Sequence, residues 1–197
     1  MCGRTDSLEE KLIERKTVHN GKILTLNVDR VALPGGGVAT REVVLHPGAA
    51  AVVALDDAGN VLLVEQYRYP AGATLLEIPA GKLDPGEDPL GCARRELGEE
   101  AGVTARDWER LGSFFTSPGF SSEVIHVFLA SGLEPVRPGE ALPDDDELLR
   151  VEHVPLADAR DLISNGRIRD AKTVAGLLLA MDRGAFEAPR AAGRGGR

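Results

Sequence analysis

Residues 81–103 read Gly81-Lys82-Leu83-Asp84-Pro85-Gly86-Glu87-Asp88-Pro89-Leu90-Gly91-Cys92-Ala93-Arg94-Arg95-Glu96-Leu97-Gly98-Glu99-Glu100-Ala101-Gly102-Val103, and this stretch decides the fold. Asp88 is placed to cap a helix, and Pro89 suits the first helical position, where its missing N–H costs nothing. Gly102 suits the left-handed position after the helix. The spacing therefore predicts a helix over about 89–101. At ~100° per residue, Leu90, Ala93, Leu97 and Ala101 form one apolar stripe, which should pack on a sheet. Glu96, Glu99 and Glu100 fall within a neighbouring arc of about 100°. Glu96 and Glu100 are four apart, so their carboxylates are neighbours.

This helix is poorly chosen for its own stability. Each like-charge i,i+4 pair costs a few tenths of a kcal/mol, roughly, in an isolated helix. Gly91 and Gly98 cost up to ~1 kcal/mol each relative to Ala. Carboxylates near the helix C-terminus also oppose the macrodipole. A local conflict of this kind often marks a functional site. Divalent cations would turn the repulsion into shared attraction, and oxygen-only ligands point to Mg²⁺ or Mn²⁺ rather than zinc. The plainer alternative is a solvated acidic helix face. Against it stands the whole pattern: Gly81, Glu87, Arg95-Glu96-Leu97, Glu99-Glu100 and Gly102-Val103 at fixed separations. Such a set arises by chance in a chain this long roughly once in 10⁶.

The chain has 197 residues and 43% apolar content, enough for one domain with a sizeable core. No apolar run approaches the ~20 residues of a membrane span. The charged stretch 1–16 lacks the apolar segment of a signal peptide. The two cysteines, Cys2 and Cys92, have no partner at metal-ligand spacing. A cytoplasmic protein without membrane partners is the expectation. A net charge of −8 argues against nucleic-acid binding. An acidic protein acting on an anionic substrate needs local positive charge, which bound metal would supply. Acidity alone also serves solubility.

Working outward, 1–9 reads as a flexible tail and 185–197, rich in Ala, Gly and Arg, as a disordered one. Residues 10–48 form an N-terminal β-hairpin region. In it Leu24, Leu26 and Val28 alternate with polar residues and predict a strand that buries them, and Pro34-Gly35-Gly36-Gly37 is the turn. The domain proper is 49–184. Strands are expected at 49–55, 61–66, 75–78, 108–116, 123–130 and 148–154, with helices at 156–165 and 170–183. The fold class is α+β: a mixed sheet with one internal helix and two C-terminal helices. His19, His46, His126 and His153 are scattered, and each reads first as structural.

The 81–103 segment matches the Nudix box at every fixed position, and the resemblance extends over most of the chain. It implies an α/β/α sandwich around a mixed sheet, with the box as loop-helix-loop. The activity implied is metal-dependent hydrolysis of a nucleoside diphosphate linked to another group. By the same resemblance Glu96, Glu100 and the carbonyl of Ala80 would ligate Mg²⁺, Glu99 would be a further ligand or stand just behind the ligands, Arg95 would orient the carboxylates, and Glu87 would brace the loop.

Val64-Glu65-Gln66-Tyr67-Arg68 and Leu76-Glu77-Ile78-Pro79-Ala80-Gly81, with Ser117-Pro118-Gly119-Phe120, resemble the ADP-ribose pyrophosphatase subfamily. This resemblance implies substrate contacts from Arg68, Glu77, Gly119 and Glu123, and a homodimer. It also implies a carboxylate from the run Asp144-Asp145-Asp146-Glu147 that activates the attacking water or binds a third metal, with Glu147 favoured and Asp145 its rival. ADP-ribose would give AMP and ribose 5-phosphate. The alternatives are a different sugar nucleotide, housecleaning of damaged nucleoside triphosphates, and an inactive ADP-ribose-binding sensor. The sensor would predict a broken box, and the box is intact.

Overall fold

The computed structural model describes residues 7–137 and 148–184. The expected tail 185–197, most of the expected tail 1–9, and the acidic run with Glu147 and Asp145 lie outside the described residues. The chain divides into two compact units, one made of Met1–Gly48 with Phe115–Val124 and the other of Ala49–Phe114 with Ile125–Arg197.

The first unit is an antiparallel sheet of β1 (Lys11–Asn20), β2 (Thr25–Ala32) and β3 (Val38–Leu45), in that spatial order. The expected hairpin is β2–β3, and Gly36 and Gly37 turn it with φ of 92° and 96°. A third strand, β1, adds to its edge. The expected buried face is corrected. Leu24, Leu26 and Val28 are half-buried, while Asn27, Asp29 and Val31 are buried. The reason is the third strand. Arg15 lies opposite Asp29 and holds it bidentately, and the Thr17 hydroxyl donates to Asn27 Oδ1 at 2.8 Å. Satisfied in this way, the polar side chains can be buried without penalty. The loop from Phe115 to Val124 docks on β3, where the Val44 N–H donates to the Phe120 carbonyl and the Ser122 N–H to the Val44 carbonyl.

The second unit is built on a seven-stranded mixed sheet. Its strands are β4 (Ala49–Leu55), β5 (Asn60–Arg68), β6 (Ala73–Glu77), β7 (Ala80–Lys82), β8 (Val103–Phe115), β9 (Val124–Pro135) and β10 (Leu149–Pro155). The main path runs β10-β5-β4-β9-β8, with β6 beside β5 and β7 beside β4. β4 pairs with β9 in parallel and with β5 and β7 antiparallel.

β4 is buried along its whole length because both faces are covered. Its alternation sorts the core. Ala50, Val52 and Ala54 meet Cys92, Ala93 and Leu97 of α1 (Pro89–Ala101), with Leu90 and Ala101 at the margin. Ala51, Val53 and Leu55 meet the other layer, α2 (Ala159–Ser164) and α3 (Ala171–Asp182), through Ala159, Leu177 and Ala180. This is the expected sandwich. Gly176 lets α3 lie close, since a Cβ there would sit 2.9 Å from the Ile78 side chain.

The expected helix 156–165 is divided. Residues Leu156–Asp158 form a 3₁₀ turn before α2, with the Leu156 N–H donating to the Gly59 carbonyl. No helix among the described residues is long and apolar enough to cross a membrane.

Candidate active site

The box helix starts as its sequence requires. Asp88 Oδ1 accepts from the N–H groups of Leu90 and Gly91, at 3.0 and 3.1 Å, and Pro89 follows it. Gly102 ends the helix at φ 66°. The loop before it is closed by Glu87, whose Oε2 accepts from the Asp84 N–H at 3.0 Å.

Arg95 organises the cluster. Its Nε and Nη2 each lie 3.0 Å from a Glu87 oxygen, and Nη1 donates to Glu96 at 2.7 Å and to Glu99 at 2.9 Å. Nη2 also donates to the Lys82 carbonyl. The hydrogen bonds to Glu87, with the charges of Glu96 and Glu99 nearby, raise the Arg95 pKa further. The same hydrogen bonds hold the Glu87 carboxyl below the usual carboxylate range. One guanidinium thus serves three carboxylates. Glu100, beside them and 7% exposed, accepts from the Ala80 N–H at 2.9 Å. The box therefore brings Ala80, Arg95, Glu96, Glu99 and Glu100 together, with Glu87 at the loop.

Gly81 makes this possible. Its Cα faces the Glu96 carboxylate so closely that a Cβ would collide with it. Cys92 lies beneath, its Sγ against the Gly81 and Lys82 carbonyls. Burial, and then the charges of Glu96 and Glu87, push its thiol up to about 12. It is therefore a neutral core group and not a nucleophile.

A second charged cluster stands on β5, β6 and α3. Glu77 is 1% exposed and is held bidentately by Arg68, Nε to Oε1 at 3.0 Å and Nη2 to Oε2 at 2.9 Å. Lys172 Nζ also donates to Glu77 Oε2, and to Asp170 at 3.1 Å. Burial works against the ionised Glu77, but the Arg68 hydrogen bonds and the Lys172 charge outweigh it, and the carboxyl lies below its ordinary value. Asp170 caps α3 by accepting from the Thr173 N–H and hydroxyl, and Thr173 Oγ1 accepts from the Ile78 N–H at 2.9 Å. Residues 78–80 thus tie α3 to Glu100 of the box.

Sequence reasoning missed Lys172, Asp170 and Thr173. Their only signal was the cap-like Asp170-Ala171-Lys172-Thr173 run, which says nothing of a partner almost a hundred residues away.

Gly119 and Glu123 belong to the other unit. Glu123 accepts from the Thr116 hydroxyl at 2.6 Å, and its Oε1 lies 3.5 Å from His46 Nδ1. That nitrogen already accepts from the Gly48 N–H at 3.1 Å, a structural role for His46.

Among the described residues, no three His, Cys, Asp or Glu side chains stand as a ready metal cage. Arg95 now holds Glu96 and Glu99, which accounts for their present arrangement. The donor chemistry nevertheless fits a hard divalent cation. Every candidate ligand is an oxygen, and the space at Gly81 admits a carboxylate that any larger residue would displace.

Comparison with known proteins agrees with this geometry. The family model described as NUDIX domain matches residues 44–177, and that described as nucleoside diphosphate sugar hydrolase N-terminal domain matches residues 10–44. The chain is 46% identical over 167 residues to an ADP-ribose pyrophosphatase of Bacillus subtilis (strain 168), covering 85% of this chain and 90% of that one. It is 45% identical over 166 residues to a methanol dehydrogenase activator of Bacillus methanolicus, covering 84% and 89%. Among solved structures, an ADP compounds hydrolase superposes with a TM-score of 0.80 at 25% identity, covering 93% of this chain and 99% of that one.

Proposed function

The chain belongs to the Nudix hydrolase family, and from that premise we propose that it splits ADP-ribose into AMP and ribose 5-phosphate. The reaction class is hydrolysis of the pyrophosphate of ADP-ribose or a related nucleoside diphosphate sugar. The observation that carries the proposal is the intact box, three carboxylates on one guanidinium with Glu100 beside them.

Nudix enzymes generally use a divalent metal. Here Mg²⁺ is the proposed ion, with Mn²⁺ an alternative, and Glu96, Glu99, Glu100 and the Ala80 carbonyl would hold it. When bound, such an ion neutralises phosphate charge and lowers the pKa of water.

The protein's own residues do the rest. Arg95 would orient the carboxylates, through its ion pairs with Glu87, Glu96 and Glu99. Arg68 and Glu77, with Gly119 and Glu123, would bind and orient the nucleotide. Glu147, or Asp145 in its place, would take the proton of the attacking water.

The remaining parts of the proposal concern organisation. Residues 49–184 would form the hydrolase domain, and 10–48 would support a homodimer. The exposed apolar side chains of β1, Leu12, Ile13 and Val18, support the latter. Light scattering after size-exclusion chromatography tests it, and a monomer at every concentration removes it. A cytoplasmic location stays part of the proposal on the strength of the sparse cysteines.

The deciding experiment is hydrolysis of ADP-ribose with Mg²⁺, using Glu100→Gln as control. Equal turnover by the variant sinks the metal assignment. Turnover of another sugar nucleotide instead moves the substrate. Separate replacement of Glu147 and Asp145 identifies the base, and an unchanged rate in both removes them from the chemistry.

A second reading, action on a dehydrogenase, rests on the Bacillus methanolicus relative. Unchanged turnover of a purified methanol dehydrogenase on adding the protein would discard it.

A further inference from the structure

Glu77 is the most deeply buried carboxylate among the described residues, and two cations share it. They are not equivalent. Lys172 reaches it from the first turn of α3, with its side chain 12% exposed, and is fixed on its other side by Asp170. Asp170 is itself held by Thr173. Arg68 reaches it from the end of β5 with its side chain 37% exposed. Among the described residues the Arg68 guanidinium hydrogen-bonds to Glu77 through Nε and Nη2, its Nη1 donates to none of them, and the charges of Glu100 and Asp170 act on it more weakly. The guanidinium therefore has one face on a buried carboxylate and another toward solvent, while Lys172 is anchored.

We propose that Lys172 is a positioning residue for substrate binding, holding the charge of Glu77 so that the Arg68 guanidinium is free to turn to the nucleotide. The physical reason is the cost of an uncompensated buried charge. A carboxylate with one cationic partner locks that partner in place, because its departure strands the carboxylate. With a second cation already on Oε2, Glu77 stays paired when Arg68 leaves. Lysine suits the task. Its compact ammonium donates to Oε2 alone, beside the Arg68 fork that spans both oxygens. Lys172 does not itself need to touch substrate. The inference rests on reading Arg68 as a substrate contact.

The test has one arm without substrate and one with it. Thermal melting compares the parent with Arg68→Met, Lys172→Met and the double variant. Arg68→Met should lower Tm by only about 3 °C, and the double variant by about 12 °C, well beyond the sum of the single changes. Equal melting of Arg68→Met and the double variant overturns the proposal, because Lys172 then gives Glu77 no support.

In steady-state hydrolysis of ADP-ribose, Lys172→Met should raise KM about tenfold with kcat within about twofold, and Lys172→Arg should recover most of the loss. A KM within about twofold of the parent also overturns it. A background of Glu77→Gln guards against a variant that does not fold. There Lys172→Met should change KM less than about twofold, since its route through Glu77 is gone, and a tenfold rise would refute that route. If the parent hydrolyses no nucleoside diphosphate sugar, the functional reading fails by itself, and the melting cycle still decides the role of Lys172.

Discussion

Two charged clusters lie on either side of residues 78–80, and they are composed in opposite ways. At the box, Glu87, Glu96 and Glu99 share the single guanidinium of Arg95, and Glu100 stands beside them. On β5, β6 and α3, the carboxylates of Glu77 and Asp170 meet two cations, Arg68 and Lys172. In the first cluster three carboxylates meet one guanidinium, and in the second two carboxylates meet two cations. An excess of buried or half-buried carboxylates is costly unless a cation joins them, whereas a balanced network holds its geometry unaided. The contrast fits the roles proposed above, metal binding at the box and positioning at the second cluster.

The contrast is tested most strongly by Glu100→Gln. Removing a proposed ligand should lower turnover on the order of 10³-fold, about 4 kcal/mol of barrier, yet leave Tm unchanged or raised. The amide oxygen can still accept from the Ala80 N–H, and one repelling charge is gone. A variant that melts earlier but turns over normally would erase the distinction. Removing divalent metal with EDTA should abolish turnover, and added Mg²⁺ should restore it. Retained activity in EDTA would sink the cation assignment.

The balanced cluster should behave the other way. Glu77→Gln leaves Arg68 and Lys172 facing each other in a buried site, which should cost about 3 kcal/mol of stability. For a domain of this size that is a fall in Tm of very roughly 6–12 °C. No shift on calorimetry would show that the network carries no structural weight.

Gly81→Ala probes geometry alone, because its Cβ would push the Glu96 carboxylate aside. The expected loss is about 10²-fold in kcat/KM with the net charge unchanged. Activity equal to the parent's would mean that Glu96 has room to spare.

Acid is the mildest probe. The folded pKa values of Glu77 and Glu87 are both lowered. Their contribution to stability is therefore full above the unfolded carboxylate value of about 4.3, and is lost as pH falls through the lower folded values. Tm should be flat on this account from pH 7 to 5 and decline below about 4, with a shallower decline in Glu77→Gln. Equal declines in variant and parent would remove Glu77 from the acid response.

Much of this was legible in the sequence, because the signals were local. Asp88, Pro89 and Gly102 fixed the ends of α1, and its apolar stripe fixed the face that packs on β4. The fixed spacing of the box then placed Arg95 among its glutamates within a few turns of chain. Strand β2 shows where local reading fails. Its alternation was correct, but the buried face was reversed, since a distant strand supplied Arg15 and Thr17 as partners for Asp29 and Asn27.

The sequence by itself determined the box of this protein, since a capped helix and its preceding loop set their own geometry over some twenty residues. Only the tertiary structure decided that Glu77 is buried between Arg68 and Lys172, that Thr173 holds the Ile78 N–H, and that Gly81 must lack a side chain against Glu96. Those contacts join β5, β6, β7, α1 and α3. No periodicity along the chain encodes a distance between elements, and it is burial on closing the sandwich that makes each of these charges require its partner.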